Sequence, residues 1–197
     1  MTKAELLNDL SEKNNGILKV ADAVQLGISK TYFLEYIEKN NYEKISHGIY
    51  LSPDAWEDGM YLLQLRVPKI IFSHDTALYL LGLIDREPLV YDATVCRGYN
   101  TSKLKKAGVK AHSVSKEHYK IGITGLKTPM GNTVNAYNAE RTICDILKPH
   151  STVEIQDRQT AIKEYVRRKD RDIPLLTEYA KIFRVDKTLQ KYLEVLL

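Results

Sequence analysis

Cysteine is scarce in this chain of 197 residues, and its two copies, Cys96 and Cys144, stand far apart with no Cys-x-x-Cys spacing. That excludes a disulfide framework and a thiolate zinc site, and two free thiols are expected. Long hydrophobic runs are missing too: no stretch of about 18 apolar residues occurs, so no membrane-spanning helix is expected. The first residues, Met1 to Glu5, lead directly into an amphipathic pattern where a signal peptide needs an unbroken apolar stretch. A cytoplasmic protein is the expectation. Internal repeats, low-complexity linkers and long polar tracts are also lacking, so the whole chain is expected to fold. Finally, charge of one sign does not dominate: 29 Lys and Arg face 25 Asp and Glu, a net +4 that implies no nucleic acid by itself.

Where the charge sits is more informative than its sum. Residues 1–52 hold six lysines against seven carboxylates, whereas from Arg97 to Lys127 eight basic residues face the single acid Glu117. A run of this kind is either a solvated face or a surface for phosphates. The latter reading takes Arg97, Lys103, Lys105, Lys106 and Lys110 as phosphate contacts, which position a protein on nucleic acid without reading its sequence.

The N-terminal pattern predicts a winged helix-turn-helix over residues 1–52. Thr2 and Glu5 are spaced as a capping box, Leu6, Leu7 and Leu10 recur on one helical face, and Asn14-Asn15-Gly16 tolerates the backbone that leaves a helix. Val20 to Leu26 is a second short helix. Gly27 then makes a tight turn, Ile28 enters the core and Ser29 caps a third helix. In that helix Phe33, Leu34 and Ile37 are expected to face the core, leaving Lys30, Thr31, Tyr32, Glu35 and Lys39 for the major groove. There Lys30 reaches guanine or phosphate, Thr31 a thymine methyl and Glu35 the amino group of cytosine. Tyr42 to Ile45 and Ile49 to Leu51 form a hairpin around Ser46-His47-Gly48, a wing whose Lys44 and His47, with Ser29 at the start of the third helix, complete the expected DNA-binding set. A three-helix unit with a hairpin also serves protein–protein recognition, and that alternative stays open.

Residues 53–197 read as a second, α+β domain. Helices are expected at Trp56 to Leu65, after a cap at Ser73, at Asn138 to Leu147, Val153 to Arg168, Pro174 to Phe183 and Lys187 to Leu197, the last ones forming a C-terminal appendage. Strands are expected at Lys69 to Phe72, Leu89 to Arg97, Val109 to Val114, Lys120 to Leu126 and Asn132 to Ala136. Ser73-His74-Asp75 has the residue types of a hydrolase triad, but sequence neighbours diverge, so it reads as a capped helix start with Asp75 near the positive dipole end. Asp85, Glu87 and Asp92 suggest a metal-dependent nuclease, yet no Glu-x-Lys follows. Arg141 and Asp145 fit an intrahelical ion pair. The five histidines show no helical pairing for a metal and read as surface or core residues. No catalytic residue, metal or cofactor is assigned.

Three ordered segments carry a resemblance. His47-Gly48-Ile49-Tyr50 in the wing, Ser73-His74-Asp75-Thr76-Ala77-Leu78 with Gly82-Leu83, and Glu140-Arg141-Thr142-Ile143-Cys144-Asp145 together resemble the AbiEi abortive-infection antitoxins over nearly the whole chain. The resemblance implies a phage-defence toxin–antitoxin pair of type IV. In it this protein represses its own operon at inverted repeats and counteracts a nucleotidyltransferase-like toxin without a stable complex. With no coiled coil or apolar stripe to demand a dimer, monomers assembling cooperatively on DNA are expected. A nuclease guided by the winged helix, or direct binding of the toxin, are the alternatives.

Overall fold

A computed structural model describes residues 1–196. The chain divides into two compact units, Met1–Pro68 and Lys69–Leu197.

The first unit opens with α1 (Lys3–Lys13), and the capping box is present: Thr2 N donates to Glu5 Oε2 at 2.8 Å and Glu5 N to Thr2 Oγ1 at 3.2 Å. The helix stops at Asn15 and Gly16, both at positive φ; a side chain at Gly16 would also meet Ala55 at 2.4 Å. Then come β1 (Ile17–Lys19), α2 (Val20–Gln25), α3 (Lys30–Lys39), β2 (Glu43–Ser46) and β3 (Ile49–Leu51). Ser29 caps α3 by accepting from Tyr32 N at 3.3 Å, as expected. The strands pair antiparallel in the order β1-β3-β2, so β1, which was not expected, is an outer strand of the sheet. Leu7, Leu18, Ala23, Ile28, Phe33, Tyr36 and Ile37 bury one core between the helices and this sheet. Three helices with a small antiparallel sheet fit a winged helix-turn-helix.

The first unit runs past residue 52 because α4 (Gly59–Arg66) belongs to it: Leu62 packs with Ile17, Ile45 and Leu51. This helix begins later than its apolar pattern predicts. Asp58 accepts from Tyr61 N at 3.0 Å and sets the start, which leaves Trp56 outside the helix and 83% exposed.

The second unit holds a mixed sheet in the order β6-β5-β4-β8-β7, built from β4 (Ile71–Phe72), β5 (Asp92–Cys96), β6 (Lys110–Val114), β7 (Ile123–Lys127) and β8 (Thr133–Tyr137). β4 runs parallel to β8 and antiparallel to β5, while β5 runs parallel to β6. That topology brings the exits of β4 and β8 to the same rim as the entries of β5 and β6. The helices are α5 (His74–Leu80), α6 (Ser102–Lys106), α7 (Lys116–Tyr119), α8 (Ala139–Ile146), α9 (Ile155–Arg167), α10 (Ile173–Ile182) and α11 (Asp186–Leu196). The short α6 and α7 were not expected, and Leu197 of the last expected helix lies outside the described residues.

The C-terminal helices are no appendage. Leu78 of α5, Ile143 and Ile146 of α8, Ile162 and Tyr165 of α9, Leu176 and Ala180 of α10 and Leu189 of α11 share one buried cluster. Each truncation of such a leucine or isoleucine to alanine costs about 2–5 kcal/mol, so these helices are integral to the unit. Two sheets with helices make the molecule α+β. No described helix is long and apolar enough to cross a membrane.

Candidate nucleic-acid interface

In the first unit a groove opens between α3 and the turn joining β2 to β3. Lys19, Lys30, Leu34, Lys44, His47 and Tyr50 line it with apolar residues and Gly48, and no carboxylate is among its walls. The unit as a whole has more acids than bases over residues 1–52, so the sequence has segregated its cations here. Val20 N donates to Gly48 O at 2.9 Å, tying the start of α2 to the wing turn and holding the groove's shape.

One side chain of α3, Leu34, departs from its expected place in the core. Leu34 is 38% exposed and lines the groove, while Tyr36 is buried. A tyrosine ring enters a core when its hydroxyl finds a partner, and Tyr36 donates to Asn8 Oδ1. Burial, with Tyr42 alongside, pushes the Tyr36 phenol up to about 12. Tyr32 also departs from the expected outward row: it is half-buried against the helical core, with Lys3 Nζ 5.5 Å from its ring centre. Thr31, Glu35 and Lys39 are exposed as expected. Lys19, which the sequence does not single out, becomes a wall of the groove because β1 ends there; its only signal is its place beside the Val20 helix start.

In the second unit Arg97, Lys103, Lys105 and Lys106 are exposed. α6 is amphipathic in one turn: Leu104 is 1% exposed and anchors it, so the three lysines project outward. Lys110 leaves that group. It opens β6, and its Nζ lies 3.7 Å from Asp92 Oδ1.

Asp92 belongs to a polar cluster at the sheet rim that the sequence did not foretell. Ser73 sits at the N-cap of α5 but makes no side-chain cap; its hydroxyl instead accepts from Thr94 Oγ1 at 2.9 Å and lies 3.1 Å from His74 Nδ1. Of the three neighbours only Ser73 and His74 touch, and His74 has a left-handed backbone, φ 48°. Such a conformation in a non-glycine residue costs about 1–3 kcal/mol and persists only when its surroundings impose it. The His74 ring stacks on His112, centroids 3.8 Å apart, and His112 Nε2 lies 2.6 Å from Asp92 Oδ1. Burial, with His112 beside it, pushes His74 down to about 4. Two of the five histidines are therefore neither surface residues nor simple core fillers. Of the acids considered for a nuclease, Glu87 and Asp92 line one cavity with Asp75, whereas Asp85 is exposed and absent from its walls.

The Arg141–Asp145 pair is present, Nε to Oδ2 at 2.9 Å, but is far more than a helix-surface contact. Arg141 is fully buried, its guanidinium 4.2 Å from the Tyr137 ring centre and 4.0 Å from that of Phe183. It donates to His118 O and Ile121 O, and so pins the loop before β7 to α8. Gly122 makes room for this, since a Cβ there would stand 2.6 Å from Arg141 Cβ. Burial raises the Asp145 carboxyl, but Arg141 and Lys148 outweigh it and hold the acid below its ordinary range. This motif is structural.

No curated protein matches the chain. Among solved structures, the RV2827C protein from Mycobacterium tuberculosis shares the fold with a TM-score of 0.58 at 13% identity, over 92% of this chain and 72% of that one. Residues 5–53 match the family described as "Transcriptional regulator, AbiEi antitoxin". The segment that carries the cationic groove, residues 5–53, is thus similar to the AbiEi antitoxin family of transcriptional regulators.

Proposed function

We propose that this protein is a repressor and antitoxin that binds double-stranded operator DNA. The observation that carries the reading is the carboxylate-free groove of Lys19, Lys30, Lys44 and His47 beside α3, in a segment otherwise rich in acids. The family match at the same segment supports a regulator and antitoxin role. In this reading α3 enters the major groove. Ser29 holds its first turn, and Lys30, Thr31 and Glu35 meet base edges while Leu34 meets thymine methyls; Lys39 lies farther along the same helix. Lys44 and His47 of the wing and Lys19 contact phosphates, as do Arg97, Lys103, Lys105 and Lys106 of the second unit. Tyr32 is confined to an edge contact by its packing, and Lys110 is drawn to Asp92.

The operator consists of inverted repeats upstream of the protein's own operon, bound by monomers that assemble cooperatively. The partner it counteracts is a nucleotidyltransferase-like toxin of a phage-defence pair in the cytoplasm, with no stable complex between them. The test is a salt-titrated binding measurement on its own upstream DNA against scrambled DNA. Preference for the upstream DNA is expected, and Lys19→Ala with Lys44→Ala should flatten the log–log salt slope by about 2, near 0.9 for each phosphate no longer neutralised. Equal binding to both DNAs overturns the repressor reading, and an unchanged slope overturns the groove assignment.

A further inference from the structure

The rim where β4 exits and β5 and β6 enter holds more than a hydrogen-bond network needs. Asp92 is 1% exposed, yet its Oδ1 is approached by both His112 Nε2 at 2.6 Å and Lys110 Nζ at 3.7 Å. Lys110 and His112 are two apart on β6 and so fall on one face of the strand. His74 arrives from a third element on a left-handed backbone. One donor atom from each of His74, Asp92 and His112 lies within 4.8 Å of the others. Beside them, Asp75 Oδ1 is buried and has no hydrogen-bond partner among the described residues. Asp75 and Asp92 both line a cavity of ≈ 330 Å³. The ion pairs of Asp92 account for one imidazole, but neither for the second, held in a rare backbone conformation, nor for the orphan carboxylate oxygen.

We propose that His74, Asp92 and His112 bind a divalent cation of the zinc class, with Asp75 placed to accept a hydrogen bond from a water on that ion. Two imidazoles and one carboxylate suit Zn²⁺, Co²⁺ or Ni²⁺, whereas Mg²⁺ and Ca²⁺ favour oxygen donors throughout. Zinc bonds of about 2.0–2.2 Å place donors roughly 3.4 Å apart around a tetrahedral ion, so separations of up to 4.8 Å in the group must shorten by up to about 1.4 Å while the 2.6 Å contact of His112 with Asp92 opens by about 0.8 Å. The rings now lie 16° from parallel, so one ion cannot lie in the planes of both. Coordination therefore turns one ring, and His112, whose side chain is 23% exposed, has room to do so. The Lys110 ammonium, 38% exposed, withdraws to solvent as the cation takes its place on Asp92.

The experiment uses the full chain, freed of metal by chelator and without DNA, so its outcome is independent of the operator reading. Zn²⁺ is titrated by calorimetry and Co²⁺ by visible absorption. One equivalent of Zn²⁺ should bind and displace Co²⁺, whose bands should show the intensity of a low-symmetry nitrogen–oxygen site. H112Q and D92N should weaken Zn²⁺ binding about 100-fold or more, since even outer-shell changes cost 10- to 100-fold. H150Q, at an exposed histidine, and excess Mg²⁺ should leave it unchanged. The partial exposure of His112 makes H112Q the variant expected to keep its fold, checked by circular dichroism, and it decides where D92N unfolds. Should both unfold, the Co²⁺ spectrum of the unaltered protein decides. No bound equivalent, equal affinity in folded H112Q, or the weak bands of an all-oxygen octahedral Co²⁺ overturns the proposal.

Discussion

The groove of the first unit and the rim of the second are both built from polar side chains, but by opposite physical routes. In the groove Lys30, Lys44 and His47 are exposed, and no ion pair to a carboxylate is found for them among the described residues. At the rim and in neighbouring α8, Asp92, Arg141 and Asp145 are at most 2% exposed and each is held by a partner. Exposed cations remain available to a ligand and contribute little to stability. Buried charges do the reverse, since an unpaired one is strongly destabilising. Exposure thus distinguishes the cations of the groove from the buried Arg141–Asp145 pair.

The largest expected effect would come from breaking the buried side of that contrast. Arg141→Met leaves Asp145 with only Lys148 and removes the tether to His118 O and Ile121 O, so a loss of about 3–5 kcal/mol in urea unfolding is expected. A loss under about 1 kcal/mol would show that the pair is not needed. The pH dependence tests the same pair. Because the folded-state pKa of Asp145 is held below its unfolded value, its stabilisation is fully present above about pH 4 and falls away as acid titrates the folded carboxyl. Denaturant midpoints measured downward from pH 5 should therefore decline, and less steeply in Asp145→Asn.

Smaller effects sharpen the contrast within α3. Tyr32→Ala removes a half-buried ring and should cost about 1–2 kcal/mol of stability. Thr31→Ala, at an exposed position, should leave stability within about 0.5 kcal/mol while relaxing operator preference by roughly 1 kcal/mol at one base pair. If the stability effects were reversed, the placement of the two side chains would be wrong. Smallest in stability, Lys105→Ala with Lys106→Ala should leave the urea midpoint unchanged while flattening the DNA salt slope by about 1–2. An unchanged slope would leave α6 as a solvated face.

Sequence reading succeeded where the cause is local. The capping box of Thr2 and Glu5, the exit at Asn15 and Gly16, the Ser29 cap and the antiparallel wing each depend on a few adjacent residues, and each is present. It failed where hydropathy and partner disagree. Leu34 looked like core, because nothing adjacent to it reveals that Tyr36 takes the buried place when Asn8, 28 residues away from that tyrosine, accepts its hydroxyl. Ser73 looked like a cap, but Thr94 competes for its hydroxyl across the strand pair. His74, Asp92 and His112 carry no spacing motif at all; they meet because β4, β5 and β6 bring their ends to one rim.

By itself, then, the amino-acid order determined the helical cassette, the wing, the α+β class and the basic stretch from Arg97 to Lys127, since periodicity, caps and charge are properties of neighbours in sequence. Only the tertiary structure decided which lysines share a groove, that α4 and the C-terminal helices are integral to their units, and that two distant histidines face one buried aspartate. Those outcomes depend on pairing between segments far apart in the chain, where burial and partner availability select among conformations that the local sequence leaves equally open.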